Sequence, residues 1–273
     1  MVKESSELRI LTLSEELGIE AIFGKRIRNT FQRHIHSTYL FGLVEKGVRH
    51  ITCDDRTYSV AEQELFMLQP AQVHACTCSE DHCYSILSVS PELIETLRAQ
   101  KLEKNRNLHP CFTQIHYKDA KLSQQLQDIF TLITKQGMSD HALTLIQTYI
   151  STLLQHEPHT AQEVVPSPEP IVKNTCAFLK KNHAEKLPLS AVAEQACLSP
   201  FHFQRLFTKR MGISPSDYLQ AHRVAEARQL LQKDIPLSDV SVSLGFYDQS
   251  HFSRIFRKMM GVSPGAYRKT NSK

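Results

Sequence analysis

The sequence predicts an α+β protein of two domains, with a β-rich N-terminal half carrying helices at its end and an all-α C-terminal half. Three observations predict it. Before about residue 70, short runs of β-branched and aromatic residues alternate with turn formers. After residue 170 the apolar residues recur at helical period. Between the halves lies a proline-rich stretch with no apolar periodicity.

At 273 residues the chain suits two domains, since one usually holds about 100–150 residues. Hydrophobic residues make up 41% and charged residues 22%, which supports a sizeable core and excludes a wholly disordered chain. No apolar run approaches the roughly 18 residues of a membrane span, and MVKESSELRI lacks the basic-then-apolar pattern of a signal peptide. A cytoplasmic protein with no membrane association is therefore expected. Its 7 cysteines, an odd and scattered set, are expected to be reduced thiols.

Taken in order, YLFGLV (39–44), VRHITC (48–53), TYSVA (57–61) and ELFMLQ (64–69) read as strands, punctuated by Gly47, Asp54-Asp55 and Pro70. An antiparallel barrel or sandwich follows. PELIETLRAQ, KLSQQLQDIFTLITKQ and SDHALTLIQTYISTLLQH then read as helices, the last capped at Ser139-Asp140. Leu122, Leu126, Ile129 and Ile133 form one apolar stripe, and Leu143, Ile146, Ile150 and Leu153 another. This is more than one barrel face requires, so part of it is expected to be a dimer interface that Ile146→Glu with Ile150→Glu would open.

QHEPHTAQEVVPSPEP (155–170) has the composition of a linker, which gives domains at 1–160 and 171–273 joined by 161–170. Beyond it, PIVKNTCAFLKKN predicts an amphipathic helix, and LSAVAEQAC a second with Ser190 as N-cap and Glu194 completing a rough capping signature. Ser199-Pro200 opens a third, because Ser caps well and Pro suits the first helical position.

LSPFHFQRLFTKRMGISPSDYL (198–219) then recurs as YDQSHFSRIFRKMMGVSPGAYRK (247–269). His202 and His251, Phe203 and Phe252, Arg205 and Arg254, Phe207 and Phe256, Met211 and Met260, Gly212 and Gly261, Pro215 and Pro264, and Tyr218 and Tyr267 are each 49 apart. In each copy a short helix (189–196; 237–243) precedes a tight turn and a second helix with apolar residues at i, i+3 and i+4. Amide and guanidinium groups on the free face of that second helix give a helix-turn-helix layout. Arg can bond a guanine edge through two donors and Gln an adenine edge, so Gln204, Arg205, Gln249 and Arg254 are the first candidates for reading bases. Charge agrees: from residue 171 onward 16 Lys plus Arg face 7 Asp plus Glu, a net of +9, whereas the first 170 residues hold 16 and 21, a net of −5.

GFYDQSHFSRIFRKMMGVSPGAYRK, with the weaker first copy and the linking helix SPSDYLQAHRVAEARQLL, resembles the C-terminal DNA-binding domain of AraC/XylS-type bacterial transcription regulators over about 100 residues. The resemblance implies seven helices, two helix-turn-helix units joined by the helix 215–232, and recognition helices at about 200–209 and 249–258. It places Phe201, Gln204 and Arg205, then Gln249, Ser250 and Arg254, toward the bases. Lys209 and Lys258 are expected at phosphates. Cys197 departs from the pattern, standing in the first turn where the second copy has Gly245-Phe246.

RHIHSTYLFGLVEKG (33–47) and LQPAQVHA (68–75) resemble, less specifically, the cupin-like effector domain of the same regulators. This implies a small β-barrel holding one small-molecule effector. The expected partners are thus double-stranded DNA, an effector, a second copy of the chain and RNA polymerase.

His34, His36 and His74 are the candidate effector-binding residues. A metal reading also exists, since H-x-H on a strand puts both rings on one face. Metal-binding cupins carry a Glu some four residues after the second His, where this chain has Leu40 and Phe41, with Glu45 displaced to the strand end. With no fourth ligand evident, hydrogen-bonding histidines and no metal are expected. Cys76, Cys78 and Cys83 with His82 offer a soft-metal or thiol-switch alternative, at a spacing standard for neither zinc nor redox pairs. A cupin enzyme ranks third, because no Ser/His/Asp or paired-carboxylate arrangement asks for one. No catalytic residue and no cofactor are expected.

Overall fold

The computed structural model describes residues 7–28, 30–53, 55–101, 112, 114–156, 170–233 and 235–271. They form two compact units, one drawn from 1–30, 37–72 and 76–161, the other from 31–36, 73–75 and 162–273. Of the linker expected at 155–170, residues 157–169 lie outside the described residues, and Pro170 already opens a helix.

The strands are β1 (Glu7–Ser14), β2 (Ile19–Ile27), β3 (Phe31–His34), β4 (Tyr39–Lys46), β5 (Arg49–Cys53), β6 (Arg56–Val60), β7 (Leu65–Leu68), β8 (His74–Thr77), β9 (His82–Val89) and β10 (His116–Tyr117). They form two sheets, ordered β1-β2-β9-β4-β7-β10 and β3-β8-β5-β6. The strands expected at 39–44, 48–53, 57–61 and 64–69 are β4 to β7. YLFGLV shows no alternation because every residue from Tyr39 to Val44 is buried, so β4 has no solvent face.

One face of the larger sheet, with Phe41, Leu43, Leu65, Met67, Leu87 and Val89, packs with α2 (Ala120–Gln136) and α3 (Asp140–His156), and α1 (Pro91–Lys101) joins the same core. Asp119 caps α2 through the Leu122 amide at 2.9 Å, and Ser139 caps α3 through the Ala142 amide at 3.2 Å. The expected dimer stripe is corrected here. Leu122, Ile129, Ile146 and Ile150 all lie in this core, and Ile146 and Ile150 are fully buried. The stripe looked excessive because the sheet it covers is wider than the four strands legible in the sequence.

The second unit carries α4 (Pro170–Lys181), α5 (Leu189–Gln195), α6 (Pro200–Met211), α7 (Pro215–Leu231), α8 (Leu237–Ser243), α9 (Gln249–Met260) and α10 (Pro264–Asn271), the seven helices the resemblance implies. One cap is corrected: α5 follows Pro188, which offers no side-chain bond, and Ser190 lies inside the helix. Pro188 itself holds the extended N-cap conformation, φ −66° and ψ 148°, with its ring fixing φ, so the N-cap place falls two residues before the serine.

Candidate functional site

The two helix-turn-helix units, α5-α6 and α8-α9, repeat each other down to ring geometry. Ser199 caps α6 through the His202 amide, and Asp248 caps α9 through the His251 amide. Phe203 and Phe207 stand 5.7 Å apart, as do Phe252 and Phe256. Phe207 meets Tyr218 edge-on at 5.8 Å, and Phe256 meets Tyr267 edge-on at 5.6 Å. Gly212 and Gly261 end the helices in left-handed conformation, at φ 70° and 76°. Each recognition helix is thus fixed from below by an aromatic ladder and at both ends by caps, which leaves its outer side free for a ligand.

The turns differ by one residue. Cys197 at φ 53° does for α5 what Gly245 at φ 73° does for α8. The amides of Leu198 and Phe246 reach back to the carbonyls of Ala193 and Ser241 at 3.1 and 3.0 Å. The offset is therefore 48 at the turn and 49 afterwards, with Tyr247 as the inserted residue. Behind the second turn, buried Arg223 of α7 donates to the carbonyls of His183 (2.7 Å) and Glu185 (2.8 Å), with its guanidinium 5.6 Å from the Phe246 ring centroid.

Phe201, Gln204, Arg205 and Lys209 on α6, and Gln249, Ser250, Arg254 and Lys258 on α9, are all exposed. Arg205 with Lys209, and Arg254 with Lys258, make matching i, i+4 pairs of cations, one on each recognition helix. Phe201 is 78% exposed, too open to be a core residue. Sequence reasoning did not single out Tyr247 and Val242, 82% and 72% exposed beside the second turn. The break in the repeat offset at Tyr247 was the signal that could have found it.

In the first unit, a buried polar group lies under the larger sheet's other face. Gly24 pairs with Tyr84 and Gly42 with Phe66 across neighbouring strands. A Cβ on either glycine would strike the partner ring, at 2.6 and 2.0 Å. The rings lie flat over the glycines, and the Arg49 guanidinium sits 4.2 Å from the Tyr84 centroid and 5.6 Å from that of Phe66. Arg49 Nη1 lies 3.0 Å from His82 Nε2, while His82 Nδ1 donates to the Ile27 carbonyl at 2.8 Å. Arg49 was legible as an inward residue, because it shares the face of Ile51 and Cys53 on β5.

Burial and the Arg49 charge lower the His82 pKa from 6.5 to about 4. The unfolded chain takes up this proton near pH 6.5 and the folded chain only near 4, so the unfolded state holds more protons in between. Stability contributed by neutral His82 is therefore present above about pH 6.5 and is lost as pH falls toward 4. His82→Gln, which keeps an acceptor for Arg49 and a donor for Ile27 but does not titrate, should show a shallower fall of melting temperature across that window. Equal slopes for the two proteins would rule His82 out.

His34 at the end of β3, His36 two residues on, and His74 at the start of β8 come together, with one ring nitrogen from each lying within 4.8 Å of the others. Their ring centroids are 4.3 to 5.1 Å apart. Glu45 is occupied elsewhere, accepting from Ser85. Cys76, Cys78, Cys83 and His82 make no comparable metal-ligating group among the described residues. Burial also pushes the Cys78 thiol up, away from the thiolate that a redox sensor uses.

Residues 192–270 match the family described as a helix-turn-helix domain, and residues 16–149 that described as an AraC-like ligand binding domain. A Bacillus subtilis protein named as the uncharacterized HTH-type transcriptional regulator YbfI is 31% identical over 248 residues, 90% of each chain. The transcriptional activator RhaS of Escherichia coli is 24% identical across 81% of each chain. The solved structure of ToxT from Vibrio cholerae superposes with a TM-score of 0.61 over 94% of this chain and 100% of its own, at 12% identity. A second ToxT structure, described as bound to an unsaturated fatty acid, gives 0.59 over 98% and 97%, at 13% identity. Likeness at such identity speaks for the two-domain fold.

Proposed function

This chain belongs to the AraC family of helix-turn-helix transcription regulators, and from that premise we propose that α6 and α9 read DNA through the eight residues set out above. It is a DNA-binding regulator with an N-terminal ligand-binding domain that senses a small-molecule effector. In the proposed division of labour, Phe201, Gln204, Arg205, Gln249, Ser250 and Arg254 face bases, while Lys209 and Lys258 meet phosphates. The observation that carries this reading is the matched pair of exposed Arg and Lys residues on two helices whose caps and aromatic supports are the same.

A binding-site selection on the wild type, Arg205→Ala and Arg254→Ala tests it. Two base-specific elements about 10 base pairs apart are expected, as for two recognition helices in successive major grooves. Each variant should lose about 1–3 kcal/mol, and its preference at one element only. A variant that keeps the wild-type preference at every position would show that its arginine reads no base. Lys209→Ala and Lys258→Ala should instead weaken all sequences alike and flatten the salt dependence.

His34, His36 and His74 belong to the effector site in this reading, and a ToxT structure carrying a fatty acid illustrates a small molecule on a like fold. Domain limits of 1–160 and 171–273 also belong to it, and so do a cytoplasmic location, a homodimer and contact with RNA polymerase. Regulator relatives and the absence, among the described residues, of any helix long and apolar enough to cross a membrane support it. With the α2 and α3 stripes turned to the core, and half-buried Leu132, Leu143 and Leu145 packed against it as well, the homodimer reading is not tied to these helices. The relatives are regulators, and no catalysis is proposed.

A further inference from the structure

We propose that Tyr247 is a base-reading residue of the second helix-turn-helix unit, its ring packing on the C5-methyl group of a thymine that lies beyond the base pairs met by Gln249 and Arg254. This rests on the reading of α9 as a recognition helix, and it adds to that reading one residue and one chemical group of the DNA.

Three observations carry it. First, the fold does not require this residue. Leu198 and Phe246 hold the same place in their turns, by their amide bonds to the Ala193 and Ser241 carbonyls, and the next matched residues are the caps Ser199 and Asp248, so Tyr247 has no counterpart in the first unit. Its ring is 82% exposed, whereas Phe246 before it is 4% exposed. Second, its place is fixed. The Tyr247 amide donates to His251 Nδ1 at 3.4 Å, and the His251 ring stands edge-on to Phe246 with centroids 5.8 Å apart. Asp248 follows in extended conformation and caps α9. Recognition helices meet base edges with their N-terminal residues, so Tyr247 stands at the end of α9 that enters the groove. Third, each unit exposes one phenyl-type ring among the described residues. Phe201, 78% exposed, lies two residues after the cap of α6; the same place on α9 holds Ser250, and the ring comes instead from Tyr247, one residue before the cap.

The choice of a methyl group follows from what the two rings share. Phe201 carries no polar side-chain atom, so their common property is an apolar face. The apolar group that a base presents in the major groove is the thymine C5-methyl, and it tells thymine from cytosine at that point. A bond from the tyrosine hydroxyl to a phosphate would position the protein and carry no sequence information. Because Phe201 follows its cap and Tyr247 precedes its own, the two elements should differ in layout: the apolar contact falls among the glutamine and arginine contacts of α6 and outside those of α9.

The test uses the full chain and the duplex that binding-site selection on the wild type yields, with deoxyuridine put in place of one thymine at a time, which removes the methyl group alone. At one thymine flanking the α9 element, wild-type affinity should fall about 4-fold, as for one methyl group returned to water. Tyr247→Ala should lose at least as much on the thymine duplex and be indifferent to the deoxyuridine, while Tyr247→Phe should match the wild type on both duplexes. Both variants should keep the wild-type melting temperature, because the ring is exposed. A selected sequence with no thymine there, a deoxyuridine effect that persists in Tyr247→Ala, or a Tyr247→Phe variant as weak as Tyr247→Ala would each overturn the inference, the last in favour of a hydroxyl bond to phosphate. A Tyr247→Ala variant that binds as tightly as the wild type would overturn it too, leaving the ring to a protein partner. Arg254→Ala separates two failures. If it loses its preference while Tyr247→Ala loses none, only this inference falls; if neither changes the selected sequence, the reading of α9 falls with it.

Discussion

Ile146→Glu is expected to unfold the sheet-bearing unit and not to release a folded monomer. Ile146 and Ile150 are fully buried on α3, in one core with Phe41 and Leu87 of the sheet and with Phe130 of α2. A carboxylate placed there must stay protonated far above its ordinary pKa or remain charged in an apolar setting, and the isoleucine contacts are lost in either case. The expected loss exceeds about 4 kcal/mol, a large part of the roughly 5–15 kcal/mol that holds a typical protein folded. Ile146→Val, which removes one methyl group, should cost only about 0.5–1.5 kcal/mol. Urea denaturation with light scattering checks both. A Glu variant that stays fully folded and halves its mass would mean that this face is a subunit interface after all.

The same residues show what the sequence could and could not reveal. Helical period placed Leu126, Ile129, Ile133, Ile146 and Ile150 on apolar faces correctly, because period depends only on local spacing. What covers such a face depends on distant pairing. β9, which lies between β4 and β2 in the sheet, and β2 itself are far apart in sequence and were not singled out, so the stripe seemed to lack a partner within its own chain. The repeat was legible almost completely, since its caps, αL glycines and aromatic positions are local signals given twice. Alternation on β5 could turn Arg49 inward but could not supply its neighbours, because only tertiary packing brings it under Tyr84 and Phe66 and beside His82. The histidines fall between these cases. The spacing of His34 and His36 gave a shared face, while the approach of His74 came from the sheet order β3-β8.

In the second unit, Gly245→Ala and Cys197→Gly should have unequal effects although they alter equivalent turns. Both residues end a short helix in the left-handed region, at φ 73° and 53°. An L-residue there costs about 1–2 kcal/mol, and the first turn tolerates that cost because the Cys197 side chain is exposed. The second turn has no such room. A Cβ on Gly245 would stand 2.4 Å from the Ala184 carbonyl oxygen and 2.8 Å from Arg223 Nη2. That carbonyl is backbone and cannot rotate aside. It lies between His183 and Glu185, the two residues whose carbonyls Arg223 holds. Adding the conformational cost to an overpacking cost of about 1–3 kcal/mol, Gly245→Ala should lose roughly 2–5 kcal/mol. It should also weaken binding at the DNA element read by α9, whose entry the turn sets. Cys197→Gly relieves the conformational strain but gives the unfolded chain more freedom, two effects that nearly cancel, so its stability should change by less than about 1 kcal/mol. Urea denaturation of the two variants beside the wild type decides. Equal losses, or a Gly245→Ala variant within about 0.5 kcal/mol of the wild type, would show that the Ala184 contact yields and that Arg223 does not fix the second turn.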